Sequence, residues 1–410
     1  MNPRHSRLVI CMALALLCGV SAVAAPPIEL VVWHSYRGGE AAAFEKVVAA
    51  YNAAKAGTGV KVTTLPVPYD AFADKITAAV PRGKGPDMFI FAQDRLGGWV
   101  EAGKTIEPID FYVDQATKDR FLTTTVQAMT YHGTIYALPF NYKVITMVYN
   151  KKLVTKPPKT TGELVQLAKS LTDAGTGRFG VAYWYSNFYY HAILMNTFGG
   201  GAFDASGKPI LNCDGNIKSL ELLTKWVDKD KFLPAEPSTA LVTALFNDGK
   251  AAIVFSGPWF LGEIAKGIDV GLAPLPTVDE AGGKPMQPWM TVEGVFIAAG
   301  SKNKDAAYDF VKFVTDTPSA KTMAVEGRQT PANKAVYLDP QVVNDPTLRV
   351  FRQQVEVAVP MPNLAEMSMM WTPASSAMAA IVQKSATVKD ALDHAQKEVV
   401  EAVGLLRKRQ

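Results

Sequence analysis

Blocks of apolar residues alternate with amphipathic blocks along most of the chain. The apolar run LVVW at residues 30–33 predicts a strand, and residues 39–54 then place apolar side chains at the 3.6-residue spacing of a helix. The same alternation continues through VKVTTL at 60–65, a helical pattern over 72–80, and the fully apolar MFIFA at 88–92. This βαβαβ order predicts strands of a parallel sheet with helices on both faces.

A second series of the same kind follows. A hairpin is predicted over 128–140, with His132 and Gly133 as its turn, and a strand over 145–150. Helical and apolar blocks then alternate as far as the buried strand predicted at 292–299, and the chain ends in amphipathic helices. No stretch rich in proline, glycine or serine is long enough to tether independent domains. The pattern therefore favours lobes in close contact.

About 385 residues follow position 25, and this exceeds the usual size of a single hydrophobic core. We predict an α/β protein of two lobes, each a mostly parallel sheet flanked by helices, with a ligand cleft between them and hinge closure around the ligand. The predicted first lobe comprises residues 26–141 and 290–335. The second comprises 142–289 and the helical segment 336–410.

The N-terminus has the layout of a cleaved secretory signal peptide over residues 1–25. Arg4 and Arg7 precede an apolar run, and small residues at Ala22 and Ala24 fit the cleavage rule. Without the two arginines the formal charge falls from +4 to +2, which gives no reason to invoke nucleic acid or anionic lipid. Of the three cysteines only Cys213 lies beyond this segment, so stability must come from the core and not from disulfides.

The sequence carries few motifs of catalysis or metal binding. The histidines are scattered, with neither HExxH nor a thiolate cluster for zinc, and no GxSxG elbow appears. Residues 201–208 resemble a phosphate loop only superficially, because Ala202 occupies the position of the first glycine. We expect neither a metal nor a cofactor. A pair of catalytic carboxylates stays possible, although no spacing points to one.

Aromatic residues concentrate at predicted strand ends and loop starts. Ligands of parallel α/β sheets bind beyond the carboxyl ends of the strands, so these positions face a site. A sugar ring presents apolar C–H faces and a rim of hydroxyls, and its receptor combines flat aromatic walls with Asp and Arg side chains that bond two hydroxyls at once. Asp94 and Arg95, directly after MFIFA, fit that role. Taken singly, each aromatic fits core packing better than a ligand site, and Asp94 fits a helix cap better; only their conjunction indicates a site.

Four blocks of sequence, in order, resemble the periplasmic solute-binding proteins of sugar ABC transporters, and most closely the maltose/maltodextrin-binding branch. They are GPDMFIFAQDRLGGWVEAG, LPFNYKVITMVYNKKL followed by PPKT, ALFNDGKAAIVFSGPW, and PMPNLAEMSMMW. The similarity extends over nearly all of the chain after the signal peptide. It implies a protein that binds a maltooligosaccharide-like sugar with high affinity and delivers it to a membrane permease with ATPase subunits.

The resemblance also implies a set of ligand-binding residues. The Asp-Arg pair at 94 and 95 would bond sugar hydroxyls from the first lobe, with the following glycines letting the chain turn tightly beside the ligand. Aromatic side chains of the second lobe would stack on the sugar rings. The predicted substrate-binding residues are Trp33, Phe91, Asp94, Arg95, Lys143, Asn187, Tyr189, Trp259 and Trp371.

Departures from the family pattern fall on the polar positions. Lys143 stands where the family has an acidic sugar ligand, and Asn187 replaces another acid. Arg37-Gly38 replaces an Asp-Lys pair, and Ser375 replaces an arginine. Since hydrogen-bond partners differ while stacking residues remain, the sequence indicates a sugar more firmly than it indicates maltose.

Two other functions stay open from the sequence. One is binding of a different disaccharide or a polyol by the same cleft. The other is an exported glycan hydrolase, which would need an Asp/Glu pair facing the cleft from both sides. We expect a monomeric, non-enzymatic protein of the periplasm.

Overall fold

The computed structural model describes residues 27–408. The predicted signal peptide therefore lies outside the described residues. The strands are β1 Ile28–His34, β2 Val60–Pro66, β3 Met88–Ala92, β4 Thr130–Tyr131, β5 Thr134–Ile135, β6 Ala137–Lys143, β7 Thr146–Asn150, β8 Phe179–Ala182, β9 Ala251–Ser256, β10 Val270–Ala273, β11 Thr277–Val278, β12 Lys284–Pro285, β13 Trp289–Ile297, β14 Thr330–Pro331 and β15 Val359–Pro360.

Helices separate and flank these strands. They are α1 Gly38–Ala54, α2 Tyr69–Ala79, α3 Leu96–Ala102, α4 Gln115–Lys118, α5 Thr123–Ala128, α6 Thr161–Leu171, α7 Phe188–Met195, α8 Asp214–Lys225, α9 Thr239–Asn247, α10 Pro258–Leu261, α11 Lys304–Val314, α12 Thr317–Val325, α13 Pro340–Val343, α14 Pro346–Val355, α15 Met367–Val382 and α16 Val388–Arg407. The βαβαβ start and the hairpin at His132-Gly133 are both confirmed, and both turn residues have positive φ.

The larger sheet forms the first lobe, in the strand order β14-β6-β13-β3-β1-β2 with β15 beside β13. Strands β1, β2 and β3 are parallel, so their carboxyl ends share one edge. Strand β13 runs antiparallel to β3 and to β6, which places Ala92, Glu293 and Asn141 side by side near that edge. The residues that follow β1, β2 and β3 are thereby collected at the face where a ligand would bind.

The smaller sheet, β10-β7-β9-β8, forms the second lobe. The chain enters it between Lys143, the last residue of β6, and Thr146, the first residue of β7. Strand β15 pairs in parallel with the first two residues of β13, so two further connecting segments lie together. The two-lobed α/β architecture is confirmed.

The sheets are mixed, which corrects the expectation of mostly parallel sheets. In the small sheet β8, β9 and β10 run in one direction, and β7 alone runs antiparallel to its neighbours β9 and β10. The reason is topological. A strand that arrives directly from the other lobe, without a crossover helix, enters its sheet in the reverse direction.

Each lobe has its own hydrophobic core. The core of the second lobe joins β7 to β9, α6 to α8 and the C-terminal helices α15 and α16. Val336, Val342 and Leu348 instead pack with residues of α12 in the first lobe. Residues as late as Leu348 therefore still pack against the first lobe, beyond the predicted boundary at residue 336. The exact division of the chain between the lobes stays a prediction.

Candidate ligand-binding cleft

Asp94 lies at the carboxyl end of β3, where a short 3-10 turn over Gln93–Arg95 carries it out of the sheet. Its side chain is almost fully buried, with 3% of the residue exposed. Oδ2 lies 3.2 Å from Nε of Arg95. Within residues 27–408, Oδ1 is buried and accepts no hydrogen bond of good geometry, although, against the effect of burial, the nearby Trp371 indole N–H lowers the pKa of the carboxyl slightly. A buried acceptor of this kind is costly unless a further donor binds it.

Asp94 does not cap the helix that follows it. Helix α3 begins at Leu96, its N-cap residue is Arg95, and no side chain of the described chain caps it. The alternative in which Asp94 serves only as a helix cap is therefore wrong. Burial raises the pKa of Asp94 to about 6, although the neighbouring charge of Arg95 opposes the increase.

The glycines after Arg95 have a different role from the one predicted. Gly97 lies inside α3, and a Cβ atom there would come within 2.4 Å of Ala365 N and 2.6 Å of Asn363 O. The Gly97 N–H donates to Asn363 O at 3.0 Å. Gly97 therefore permits close contact with the segment before α15 and not a tight turn, and this contact brings α15 beside Asp94 and Arg95.

Aromatic rings from the second lobe form a continuous series opposite this edge. Trp259 lies 6.1 Å from Tyr189, Tyr189 lies 6.4 Å from Trp289, and Trp289 lies 6.2 Å from Trp371, measured between ring centroids. Trp289 is buried behind the others, whereas Tyr189, Trp259 and Trp371 are partly exposed. The guanidinium of Arg95 lies 5.9 Å from the Trp371 ring, so the polar and aromatic groups meet.

The GPW sequence at 257–259 has a local explanation. A Cβ atom on Gly257 would lie 2.1 Å from the Trp259 ring, so only glycine lets the indole fold over the backbone there. Pro258 begins α10, where a missing N–H costs nothing. Trp259 Nε1 donates to the Tyr190 hydroxyl at 3.3 Å, which fixes the ring.

Lys143 lies at the end of β6 in a buried cluster of charges. Its Nζ is 2.9 Å from Glu293 Oε1 and 3.2 Å from Glu40 Oε1. The Tyr36 hydroxyl donates to the other oxygen of Glu293 at 2.9 Å. Burial disfavours the ammonium, but the two carboxylates outweigh it and raise the pKa of Lys143. Burial likewise raises the pKa of Glu40 against the charge of Lys143.

This charge cluster reaches the cleft through its lysine. Lys143 Nζ lies 5.9 Å from the Trp259 ring on the facing lobe. The three charged side chains of the cluster carry one net negative charge. Lys143 therefore stabilises two buried carboxylates, Glu40 and Glu293, with a single positive charge. Of the three side chains, Lys143 is the one that faces the aromatic wall.

Two residues of the second lobe occupy the start of α7. The side-chain oxygen of Asn187 accepts the Tyr189 N–H at 3.0 Å and caps the helix. The Tyr189 hydroxyl is buried beside Thr291, and within the described chain it makes no hydrogen bond of good geometry. Burial raises the pKa of Tyr189, so the phenol stays neutral and can donate. Asn187 thus positions Tyr189.

Two predicted aromatic contacts are less accessible than expected. Phe91 is 4% exposed and is stacked at 5.0 Å by Phe72 and, at the same distance, by Tyr69. Trp33 is partly buried and packs against the first-lobe core that contains these rings. Phe91 therefore supports the site from beneath, and its direct contact with a ligand stays a prediction.

The lobes also meet at the rim of the cleft. Arg37 and Glu263 form an ion pair at 3.0 Å. Beside it, a Cβ atom on Gly38 would lie 2.7 Å from Gly262 O, and Gly38 has a φ of +50°. Glycine is required there both for the backbone conformation and for the close approach of the two lobes.

The sequence reasoning missed Tyr69, Glu40 and Glu293. Tyr69 begins α2 directly after β2, so the same strand-end rule that selected Asp94 applies to it. Nothing local marks the two glutamates, which meet Lys143 only through the register of the sheet and the start of α1. No group of side chains suited to hold a metal ion occurs between residues 27 and 408. No helix in that range is long and apolar enough to cross a membrane.

Comparison with known protein families assigns this chain to one of them. The family model described as bacterial extracellular solute-binding protein matches residues 46–350, about three quarters of the chain. The chain belongs to the bacterial extracellular solute-binding proteins. Members of such families bind their solutes, so the polar and aromatic groups that face each other between the lobes are the candidate ligand site of this chain.

Individual members of the family are similar over nearly the whole chain. A maltotriose-binding protein of Pyrococcus abyssi (strain GE5 / Orsay) is 32% identical over 378 residues, 91% of this chain and 82% of that protein. A galactooligosaccharide-binding protein of Bacillus subtilis (strain 168) is 29% identical, with 90% and 87% covered. The structure of the Thermus thermophilus maltotriose binding protein with maltotriose matches with a TM-score of 0.84 at 28% identity, covering 91% of this chain and 100% of that one.

Proposed function

We propose that this solute-binding protein binds a maltooligosaccharide-like sugar in the cleft and delivers it to an ABC import permease with ATPase subunits. The observation that carries the proposal is the environment of the Asp94 side chain. Asp94 is a buried carboxylate whose Oδ1 accepts no hydrogen bond of good geometry from the described chain, and it faces an aromatic wall. A sugar supplies both hydroxyl donors for the carboxylate and an apolar face for the rings.

The site residues divide by chemistry. Asp94 and Arg95 would bond hydroxyls, and Lys143 would offer its remaining N–H toward the Trp259 side of the cleft. Tyr189, Trp259 and Trp371 would stack on sugar rings, and the Tyr189 hydroxyl would donate to a hydroxyl. Asn187, Trp33 and Phe91 would support these groups rather than supply most of the contact.

Relatives support a sugar of the maltooligosaccharide class. Maltotriose is the ligand named for the Pyrococcus and Thermus proteins, and a galactooligosaccharide is named for the Bacillus protein. Because family acids are absent at Lys143 and Asn187, the hydroxyl pattern that this cleft reads can differ from theirs. Another disaccharide or a polyol is therefore the alternative ligand.

A hydrolytic function is not favoured by the geometry. The acids Glu40 and Glu293 both belong to the first lobe and both bind Lys143. A glycan hydrolase needs one carboxylate free to donate a proton and a second one positioned across the bond to be cleaved. We therefore propose a binding protein without catalytic activity.

The location and assembly of the protein are part of the proposal. The N-terminal layout supports export through a cleaved signal peptide, and the family is extracellular by description. We propose a periplasmic monomer whose closed lobes form the surface that the permease recognises.

A thermal-shift screen followed by calorimetry tests the proposal. Purified protein is screened with maltose, maltotriose, maltotetraose, a galactooligosaccharide and an acyclic polyol, and each hit is titrated. We expect stoichiometric binding of a maltooligosaccharide and no products after incubation. Turnover that disappears when Glu40 or Glu293 is replaced by Gln would overturn it, and so would the absence of any bound sugar.

A further inference from the structure

Tyr69 has an unusual environment for a large aromatic residue. It begins α2, directly beyond the carboxyl end of β2, and 51% of its surface is exposed. One face of its ring lies on Phe91 at 5.0 Å with an interplanar angle of 22°. Phe91 in turn is stacked on Phe72 at 5.0 Å and 16°. The three rings form a stack whose outermost member is Tyr69, so the open ring face is presented away from the core.

Tyr69 follows the carboxyl end of β2, and Asp94 follows the carboxyl end of the parallel strand β3, so both lie at the edge of the sheet where a ligand would bind. Burial raises the pKa of the Tyr69 phenol, and the charges of Asp94, Tyr189 and Glu293 raise it further. These groups come from the polar edge of the first lobe and from the aromatic wall of the second. With one ring face on Phe91 and half of its surface exposed at this edge, Tyr69 has its open face available to a ligand between the lobes.

We infer that Tyr69 is the stacking platform of the first lobe and receives the apolar face of a pyranose ring. This inference rests on the proposed sugar-binding function. The ring that bonds to Asp94 would lie against Tyr69, while Tyr189 approaches from the other lobe. The platform gives the first lobe an aromatic contact of its own, and Phe72 and Phe91 hold it rigid from beneath.

Rigid support matters for affinity. A half-exposed side chain free in solvent would lose rotamer freedom when a ligand orders it, which weakens binding. The stack on Phe91 fixes the Tyr69 ring before binding. The loss of rotamer entropy therefore occurs during folding and does not weaken ligand binding. Stacking of the ring contributes beyond the apolar area it buries.

Three variants of Tyr69 separate stacking from its alternatives. Tyr69→Phe keeps the flat ring and removes the hydroxyl. Tyr69→Leu keeps an apolar cover over Phe91 without a flat face, and Tyr69→Ala removes both. Phe111→Ala serves as the matched control, because Phe111 is 95% exposed and lies in a loop of the first lobe remote in sequence from every predicted site residue.

Calorimetric titration with maltotriose, at a temperature where circular dichroism shows every variant folded, gives the test. We expect roughly five- to tenfold weaker binding for Tyr69→Ala and Tyr69→Leu, and a change below about twofold for Tyr69→Phe and Phe111→Ala. Retained affinity in Tyr69→Leu would show that the residue only covers Phe91 and would overturn the inference. If the wild type binds sugar and Tyr69→Ala binds it with the same affinity, the inference about Tyr69 is overturned and the proposed function is not. If the wild type binds no sugar, the proposed function is overturned together with the inference.

Discussion

The two walls of the cleft differ in chemistry and in how they are built. The first-lobe wall is polar, and its charged groups are gathered at one sheet edge by strands β1, β3, β6 and β13. The second-lobe wall is aromatic, and its partly exposed rings come from helices α7, α10 and α15, with Trp289 at the start of β13 packed behind them. Hydrogen bonds to charged groups depend steeply on position, so a sheet edge suits them, whereas stacking tolerates small shifts. We propose that the first lobe reads most of the hydroxyl pattern, with Tyr69 as its one stacking surface, and that the second lobe supplies most of the apolar contact.

The largest effect is expected at the polar wall, from Lys143→Met. This change leaves Glu40 and Glu293 buried beside each other without their cation, and breaking a buried pair in this way costs about 3–5 kcal/mol. Urea unfolding of the ligand-free protein measures the loss. Lys151→Met is the matched control, since its partner Asp269 is exposed and the pair should contribute less than about 1 kcal/mol. Equal stability in the two variants would contradict a structural role for the charge cluster.

The aromatic wall should respond in affinity and not in stability. Replacing Trp259 or Trp371 by Ala is expected to weaken sugar binding by roughly 1–3 kcal/mol with little change in unfolding, because both rings border the cleft. Trp226 provides the contrast, as it is fully buried in the core of the same lobe. Trp226→Ala should lose about 3–5 kcal/mol of stability while the folded fraction binds normally. If the cleft tryptophans behave like Trp226, the wall is core and not a binding surface.

Asp94 should make the polar wall sensitive to pH. Since its pKa is raised to about 6 in the folded protein, the folded state holds this proton to higher pH than the unfolded chain does. Its contribution to ligand-free stability is thus fully present below about pH 4 and is lost as pH rises through 6. Sugar affinity should follow the opposite course and fall as pH drops below 6, because the ionised carboxylate is the stronger acceptor.

Asp94→Asn tests this assignment. We expect roughly tenfold weaker binding near neutral pH, and both pH dependences between 4 and 6 should flatten relative to the wild type. Calorimetric titrations and urea unfolding across that range measure the two effects. An Asn variant with wild-type affinity and an unchanged pH profile would remove Asp94 from the site.

The rim between the two walls should give the smallest effect. Arg37 is half exposed in its pair with Glu263, so Arg37→Ala should weaken sugar binding by less than about 1 kcal/mol, and less still at high salt. Exchanging the charges, with Arg37→Glu and Glu263→Arg together, should restore part of the loss. A tenfold effect that salt does not alter would mean that Arg37 contacts the ligand.

The sequence was sufficient for much of the fold because its information is local. Hydrophobic period and turn residues mark β1 to β3 and the hairpin at His132-Gly133, and the strand-end rule leads to Asp94. The mixed direction of the sheets cannot be predicted from local patterns, since the pairing of β13 with β3 and with β6 joins segments roughly 150 to 210 residues apart. The same strand pairing brings Glu293 next to Lys143, and no local sequence pattern predicts this contact.

The sequence is least informative where the reason for a residue lies in another element of the fold. Gly97 was assigned to a turn, whereas its missing side chain makes room for Asn363 and Ala365. Phe91 is predicted to contact the ligand, and Tyr69 lies over it. In both positions the residue type was correctly singled out, but its partner is distant in sequence, and only the packed structure identifies it.

The most direct test is a crystal structure of the protein with maltotriose. We expect one sugar chain between the lobes, with hydroxyls on Asp94 and Arg95 of the first lobe and ring faces on Tyr189, Trp259 or Trp371 of the second. A sugar held outside the cleft, or one whose hydroxyls are bonded by the second lobe while the first only stacks, would contradict the division between a polar and an aromatic wall.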